Sequence, residues 1–217
     1  VKGQEFIYYL VRKTVNITGI IDSTVRRLYK QYMPKPKDKL LNVPFLSMKD
    51  ANHDNMMTLM AVAANIFVHP WLTRKEVLEK VREGLTPLQR PYSLITLAMA
   101  SMNLRNTVAY NKVRKEDSPL IQQAAQAGVK VHAEEMDLKR LRKRASKKRS
   151  VMVTIKAKDP LHENKVIENV MLVNGFDEHN VIVHDFLNLR KNRRIKNEAF
   201  LAAWRNTGYE MLTIRKR

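Results

Sequence analysis

Residues 169–177 (NVMLVNGFD) and 180–186 (NVIVHDF) decide the fold of this chain. Each is an apolar run of strand length, a short polar turn separates the two, and the second run ends in an acid. A helix-forming segment at 200–204 (FLAAW) and a last apolar run at 209–214 (YEMLTI) follow. We therefore expect the chain to end in a pair of adjacent strands, one helix and a final strand.

The residues before this hairpin are mostly helical in pattern. Capping signals, helix-ending glycines and apolar spacing of about 3.6 residues predict five helices. Period-two alternation predicts two further strands. Helices therefore fill the first half of the domain and strands the second, which is an α+β order. The predicted helices are Asn55–Phe67, Thr73–Gly84, Ser93–Asn103, Ser118–Gly128 and Asp137–Lys147, and the predicted strands are Val129–His132 and Ser150–Lys156.

Residues 1–40 have the pattern of a separate helical extension. Apolar side chains recur at helical spacing in this segment, and a basic, proline-rich stretch at 33–38 cannot continue a helix. We expect two domains, the extension at 1–40 and a main domain at 41–217. The apolar faces of the extension either dock on the main domain or bind a neighbouring protein chain.

Positive charge is the strongest compositional signal. Forty Lys and Arg stand against 21 Asp and Glu, so the formal net charge is +19. A surplus of this size favours a polyanionic partner, above all nucleic acid or a nucleoprotein assembly, through sequence-blind phosphate contacts. With only 7% aromatic residues, base stacking has little support. The predicted contact residues form two runs: Lys139, Arg140, Arg142, Lys143, Arg144, Lys147, Lys148 and Arg149, then Arg190, Lys191, Arg193, Arg194 and Lys196.

The chain contains no cysteine, which excludes disulfides, thiolate metal sites and a cysteine nucleophile. Lys or Arg interrupts every apolar run before it could span a bilayer. The first residues show no signal-peptide pattern, so we expect a cytoplasmic or virion-associated protein. The histidines show no ligand spacing, and no metal or cofactor is expected.

Residues 43–50 (VPFLSMKD) and 54–62 (DNMMTLMAV), together with 169–185, resemble the papain-like cysteine peptidases that process bacteriocin leaders at double-glycine sites. The resemblance spans roughly residues 43–214 and implies a papain-like fold, helical in its first half with an antiparallel sheet in its second. In that family a Val-Pro pair precedes an oxyanion Gln and then a Cys-Gly pair that opens a helix. A His six residues before a glycine and an Asp or Asn after the next strand complete the site.

Carried over position by position, the resemblance places the nucleophile at Asp54, the oxyanion donor at Met48 and the general base at Asn169. Only the orienting acid is kept, as Asp185. A methionine cannot donate to an oxyanion, and an asparagine side chain cannot take a proton near neutral pH. We therefore expect a catalytically inactive, degenerate member of the family. Its expected role is that of a basic binding or assembly module in a nucleic-acid-rich or virion-like complex.

Two alternatives stay open. A hydrolase could have rebuilt its site around His53, Asp54 and Asp185, although Asp54 is better explained as the N-cap of the following helix. The old cleft could instead hold a peptide without cutting it. His184, on an alternating strand, is expected to face solvent or a basic loop.

Overall fold

The structure of the protein is a computed structural model that describes residues 39–46, 56–85, 93–113, 119–158 and 166–217. Within these ranges six helices accompany eight strands, which confirms the α+β fold class. The helices are α1 (Met56–Val68), α2 (Arg74–Glu83), α3 (Leu94–Met102), α4 (Pro119–Gln126), α5 (Leu138–Arg144) and α6 (Asn197–Arg205). The strands are β1 (Lys39–Leu40), β2 (Asn106–Asn111), β3 (Lys130–His132), β4 (Arg149–Lys158), β5 (Val166–Phe176), β6 (Asn180–Asp185), β7 (Arg190–Lys196) and β8 (Met211–Lys216).

The eight strands form one sheet in the order β3-β2-β8-β4-β5-β6-β7, and β1 pairs with β5. The β2–β3 pair is parallel. The other pairs are antiparallel. Hairpin β5–β6 aligns Leu172 with His184, and β6 aligns Val183 with Arg193 of β7. The two predicted strands of the C-terminal pair are therefore confirmed as neighbours.

The local helix signals are also confirmed. Thr73 and Glu76 form the reciprocal capping box that opens α2. Ser93 and Asp137 cap α3 and α5 through their side-chain oxygens. These caps work because a side-chain acceptor satisfies a backbone amide that the first helical turn leaves unpaired.

One prediction of local structure was wrong, and two strands were not predicted. The helix expected to reach Lys147 ends at Arg144, because Ser146 and Arg149 hydrogen-bond each other's backbone in a tight turn that leads into β4. The densest basic run is therefore divided among a helix, a turn and a strand. Strands β2 and β7 were not predicted, since neither shows a long apolar alternation.

The core lies between the sheet and the helices. Helix α1 packs against β4, β5 and β8, and α6 packs on the β4, β6 and β7 region. Their largest buried side chains include Leu59 and Met60 from α1 and Phe200 and Trp204 from α6. This packing fixes β5 and β6, the strands that carry the candidate site.

Strand β1 pairs with the end of β5, at Gly175 and Phe176. Residues 41–46 follow β1, and Val43 contacts Asn174 of β5 and His184 of β6. A methyl group added at Gly175 would lie 2.5 Å from the Lys39 carbonyl oxygen, so only glycine permits this approach. Residues Lys39–Arg217 form one compact unit. Most of the predicted extension, residues 1–38, lies outside the described residues and stays a prediction.

Candidate functional site: a buried carboxylate and a basic surface

Asp185 lies at the end of β6, beside Asn169 of β5. Both side chains project from the same face of the sheet, and Asn169 Nδ2 donates to Asp185 Oδ1 at 3.0 Å. Both residues are buried, with Asp185 fully inaccessible to solvent. The structure thus brings together the two positions that the resemblance assigns to the base and to the acid that orients it.

Asp185 accepts three further hydrogen bonds. The backbone amide and side-chain Nδ2 of Asn188 donate to its two oxygens at 3.2 and 2.8 Å. Arg193 donates from its guanidinium to Oδ2 and forms an ion pair with it. Burial is the largest influence and opposes ionisation, but the hydrogen bonds from Asn169, Asn188 and Arg193 outweigh it and hold the pKa of Asp185 below its usual range.

This arrangement limits what Asp185 can do chemically. Four donors occupy the two carboxylate oxygens, and the lowered pKa makes the group a poor proton acceptor near neutral pH. Asn169 supplies an amide where a base would be needed. Asp185 therefore serves as a structural anion that ties β5, β7 and the turn at Asn188 together.

The remaining candidate catalytic positions, Met48, His53 and Asp54, lie outside the described residues. Helix α1 begins at Met56, two residues after Asp54. The catalytic roles considered for Met48, His53 and Asp54 therefore stay predictions.

His184 was expected at the surface, and this prediction was wrong. It is fully buried, and its Nε2 lies 2.8 Å from the carbonyl oxygen of Val43. A carbonyl only accepts, so Nε2 carries the proton, and Nδ1 accepts from the backbone amide of Asn192 at 3.3 Å. Residues 41–46 cover β6 on the face that simple alternation assigns to solvent.

The same contacts clamp the Val43 peptide. Asn174 Oδ1 accepts from the Val43 amide at 2.7 Å, while its Nδ2 donates to Asn192 Oδ1 at 2.7 Å. Phe45 packs against the rings of His184 and Phe186. Burial is the main cause that lowers the pKa of His184, and nearby Lys191 adds to it against the opposing hydrogen bond to Val43.

The two basic runs meet at the β5–β6 turn. Arg142 of α5 donates to the backbone oxygen of Asp177 at 3.0 Å and lies over the Phe176 ring. Arg194 of β7 lies 3.6 Å from the Asp177 carboxylate. Guanidinium groups from both runs therefore contact one residue, although the runs are about fifty positions apart in sequence.

The predicted contact residues differ in exposure and partners, and Arg144, the last residue of α5, is only partly exposed. Some have internal partners: Arg140 donates to the Glu135 carbonyl, and Arg142, Arg193 and Arg194 make the contacts given above. Arg149 lies directly opposite Arg215 in the β4–β8 pair, an unfavourable arrangement of like charges. The exposed cations, which have no ion pair with any described residue, are Lys139, Lys143, Lys147, Lys148, Arg190, Lys191 and Lys196.

No group of three or more His, Asp or Glu residues in the described part of the chain could hold a metal ion. No helix there is both long enough and apolar enough to cross a bilayer.

Several contributors to this region were missed from sequence. Asn188 follows Asp185 by three residues, the spacing at which an aspartate accepts from a later backbone amide, so this contact had a local signal. Asn174, Asn192 and the Val43 peptide had none, because tertiary packing alone brings them together.

Comparison with solved structures agrees with the fold expected from the sequence. The chain is similar to a crystal structure described as that of a C39-like peptidase from Bacillus anthracis. The TM-score is 0.52 at 13% identity, and the match covers 83% of this chain and 98% of that one. At this identity the likeness shows the fold alone. No family model and no curated protein matches the chain.

Proposed function

We propose that this chain is a peptidase-like domain without peptidase activity, which acts as a basic module that binds polyanions. Nucleic acid within a large assembly, such as a virion or another nucleoprotein complex, is the proposed partner. The contact of Arg142 and Arg194 with the same residue, Asp177, is the observation that carries the proposal.

The proposed lack of activity rests on chemistry. The chain has no cysteine to serve as the nucleophile. Asn169, which the resemblance assigns to the base position, has an amide side chain that donates to Asp185. The same contacts weigh against a hydrolase rebuilt around Asp185, because that carboxylate is buried and already accepts four hydrogen bonds.

The proposed binding role rests on charge and exposure. The first run contributes four exposed lysines, and β7 contributes the exposed cations Arg190, Lys191 and Lys196. Their ammonium and guanidinium groups have the chemistry for phosphate contacts that release counterions and carry no sequence information. Arg142 and Arg194 both contact Asp177, and these contacts attach α5 and β7 to the same turn.

Salt dependence tests the binding role. We expect a labelled 20-base-pair duplex to bind, with an association constant that falls steeply as KCl rises, and fluorescence anisotropy measures both. Affinity that stays flat with salt would contradict the proposal. The same titration with a peptide library addresses the peptide-holding alternative, which predicts binding that depends only weakly on salt.

A peptidase assay tests the proposed inactivity. We expect no cleavage of generic peptide substrates by the wild-type protein. Cleavage that is lost in Asp54→Ala would establish the rebuilt hydrolase instead. If cleavage is found, an Asp185→Glu variant, which retains the carboxylate on a longer side chain, tests whether cleavage depends on the position of that carboxylate.

A further inference from the structure

A second cationic site lies away from the Asp177 turn, at an open cleft of about 520 Å³. Its lining includes Trp71, from the segment before α2, and three cations: Arg105, Lys216 and Arg217. Trp71, Arg105 and the adjacent pair Lys216 and Arg217 come from three separate parts of the sequence. The volume falls within the range of small-ligand clefts, about 300–1,000 Å³.

Trp71 is one of the exposed large hydrophobic residues in the described part of the chain. Its side chain is 56% exposed, whereas Trp204 is fully buried. The Lys216 ammonium lies 3.7 Å from the centroid of the Trp71 ring, a cation–π contact. Lys216 therefore lies over one face of the ring, and the rest of the exposed Trp71 surface lies beside positive charge.

The tryptophan is held by a rigid support. The His69 ring meets it edge-on with centroids 5.1 Å apart. His69 Nε2 lies 2.7 Å from Asn106 Oδ1, and Asn106 Nδ2 donates to Asn65 Oδ1 at 2.7 Å. This buried polar network fixes His69, and a fixed aromatic surface loses little conformational entropy when a ligand stacks on it.

The cations around Trp71 are not neutralised from within the described part of the chain. Arg105, Lys216 and Arg217 form no ion pair with any residue that the structure describes. Arg105 adopts a left-handed backbone conformation with φ of 56°. Its backbone amide donates to the Met102 carbonyl at 2.9 Å, which fixes the turn that carries the guanidinium.

We propose that this cleft binds single-stranded nucleic acid, with an unpaired base stacked on Trp71 and the adjoining phosphates held by Arg105, Lys216 and Arg217. Stacking requires a free base face, and a duplex keeps its base faces inside the helix. The cleft thus adds a preference for unpaired strands to the proposed binding of polyanions, and it shares with that proposal the premise of a nucleic-acid partner. The low aromatic content of the sequence argued against base stacking. That percentage is an average over the chain, and it does not reveal that a single tryptophan lies beside three cations.

Tryptophan emission gives a direct test, because the chain has two tryptophans and the other is fully buried. Oligodeoxythymidylate of 20 nucleotides and a 20-base-pair duplex are titrated into the wild-type full chain, with anisotropy and intrinsic fluorescence recorded. We expect the single strand to quench Trp71 emission and to bind more tightly than the duplex. Oligouridylate of the same length distinguishes RNA from DNA as the source.

Variants of the aromatic surface separate stacking from charge. Trp71→Ala is expected to weaken single-strand binding about 5- to 150-fold, the range for loss of one stacked base, and to leave duplex binding within about twofold. Trp71→Phe retains a ring and should keep most of the affinity. Val166→Ala, which shortens an apolar side chain that is 61% exposed elsewhere, is the matched control and should change nothing.

The outcomes distinguish this inference from the proposed function. Single-strand binding without quenching, or with equal affinity in Trp71→Ala, would overturn the inference while salt-sensitive duplex binding still supported the basic surface. Quenching by a single strand, together with no salt-sensitive duplex binding, would support the cleft and overturn the basic surface. An absence of binding to any of the three nucleic acids would overturn both.

Discussion

Asn169 donates an amide hydrogen bond to Asp185 at 3.0 Å, between the two positions that the sequence resemblance assigns to a base and its orienting acid. Under that assignment the acid is present, whereas the base position holds an amide, which does not accept a proton near neutral pH. Asn188 and Arg193 complete its coordination. In this chain Asp185 links β5, the turn at Asn188 and β7 through these hydrogen bonds.

Arg193→Ala should destabilise the protein by about 2–3 kcal/mol, because it leaves the buried Asp185 carboxylate without its ionic partner. Arg190→Ala removes an exposed arginine from the same strand and should cost less than about 0.5 kcal/mol. Urea unfolding followed by circular dichroism measures both. Equal effects would show that Arg193 contributes no more than a surface cation.

Asp185 should also make stability sensitive to acid. Its folded-state pKa is lowered, so its contribution is present above the unfolded value of about 3.9 and is lost as pH falls through the folded-state value. At pH 7 Asp185→Asn should be less stable than wild type by about 2–3 kcal/mol, and the difference should shrink at pH 3.

The control for that measurement is Glu168→Gln, since Glu168 is an exposed carboxylate 3.5 Å from Lys156. This change should cost less than about 1 kcal/mol at either pH. A difference between wild type and Asp185→Asn that stayed constant with pH would argue against a lowered pKa.

His184 should give a second pH dependence, in a higher range. Its folded-state pKa is lowered, so the unfolded chain binds a proton below about pH 6.5 that the folded chain does not. Stability is therefore complete above that pH and falls as pH drops, by up to about 1.4 kcal/mol per pH unit. The free energy of unfolding between pH 7.5 and 5 measures this slope.

His184→Gln retains a donor towards Val43 and removes the titration, so its slope over this range should be smaller than that of wild type. His179→Gln removes a histidine whose side chain is 74% exposed, and its slope should match wild type. A wild-type slope that His184→Gln left unchanged would contradict this assignment.

The exposed lysines of the first basic run should carry phosphate contacts. Replacing Lys143, Lys147 and Lys148 by alanine should weaken duplex binding and reduce the slope of log K against log salt by about 0.9 for each phosphate that is no longer neutralised. A matched triple variant, Lys75, Lys112 and Lys130 to alanine, removes the same formal charge elsewhere. If both variants weakened binding equally, net charge rather than this surface would be responsible.

Local chemistry was the most predictable part of the fold. Thr73 and Asp137 cap helices as expected, because capping depends on three or four neighbouring residues. The β5–β6 hairpin was equally visible, since a long apolar pattern on either side of a polar turn has few other solutions.

The errors have tertiary causes. Alternation placed His184 at the surface, but Val43 and Phe45 of the 41–46 segment contact its ring, so His184 is buried. Strand β7 was read only as a charge run, because its pairing with β6 determines its conformation. The pairing of Asn169 with Asp185 had no sequence signal except the family resemblance.

Strand β7 ends the sheet order, and within the described residues no strand pairs with its outer side. An open strand offers unpaired amides and carbonyls to a second copy of the chain, the route by which sheet proteins aggregate. Its repeated cations repel an identical strand brought alongside, so the same charges that favour a polyanion oppose self-association. We therefore expect removal of the charge on β7 to weaken the proposed polyanion binding and to favour self-association together.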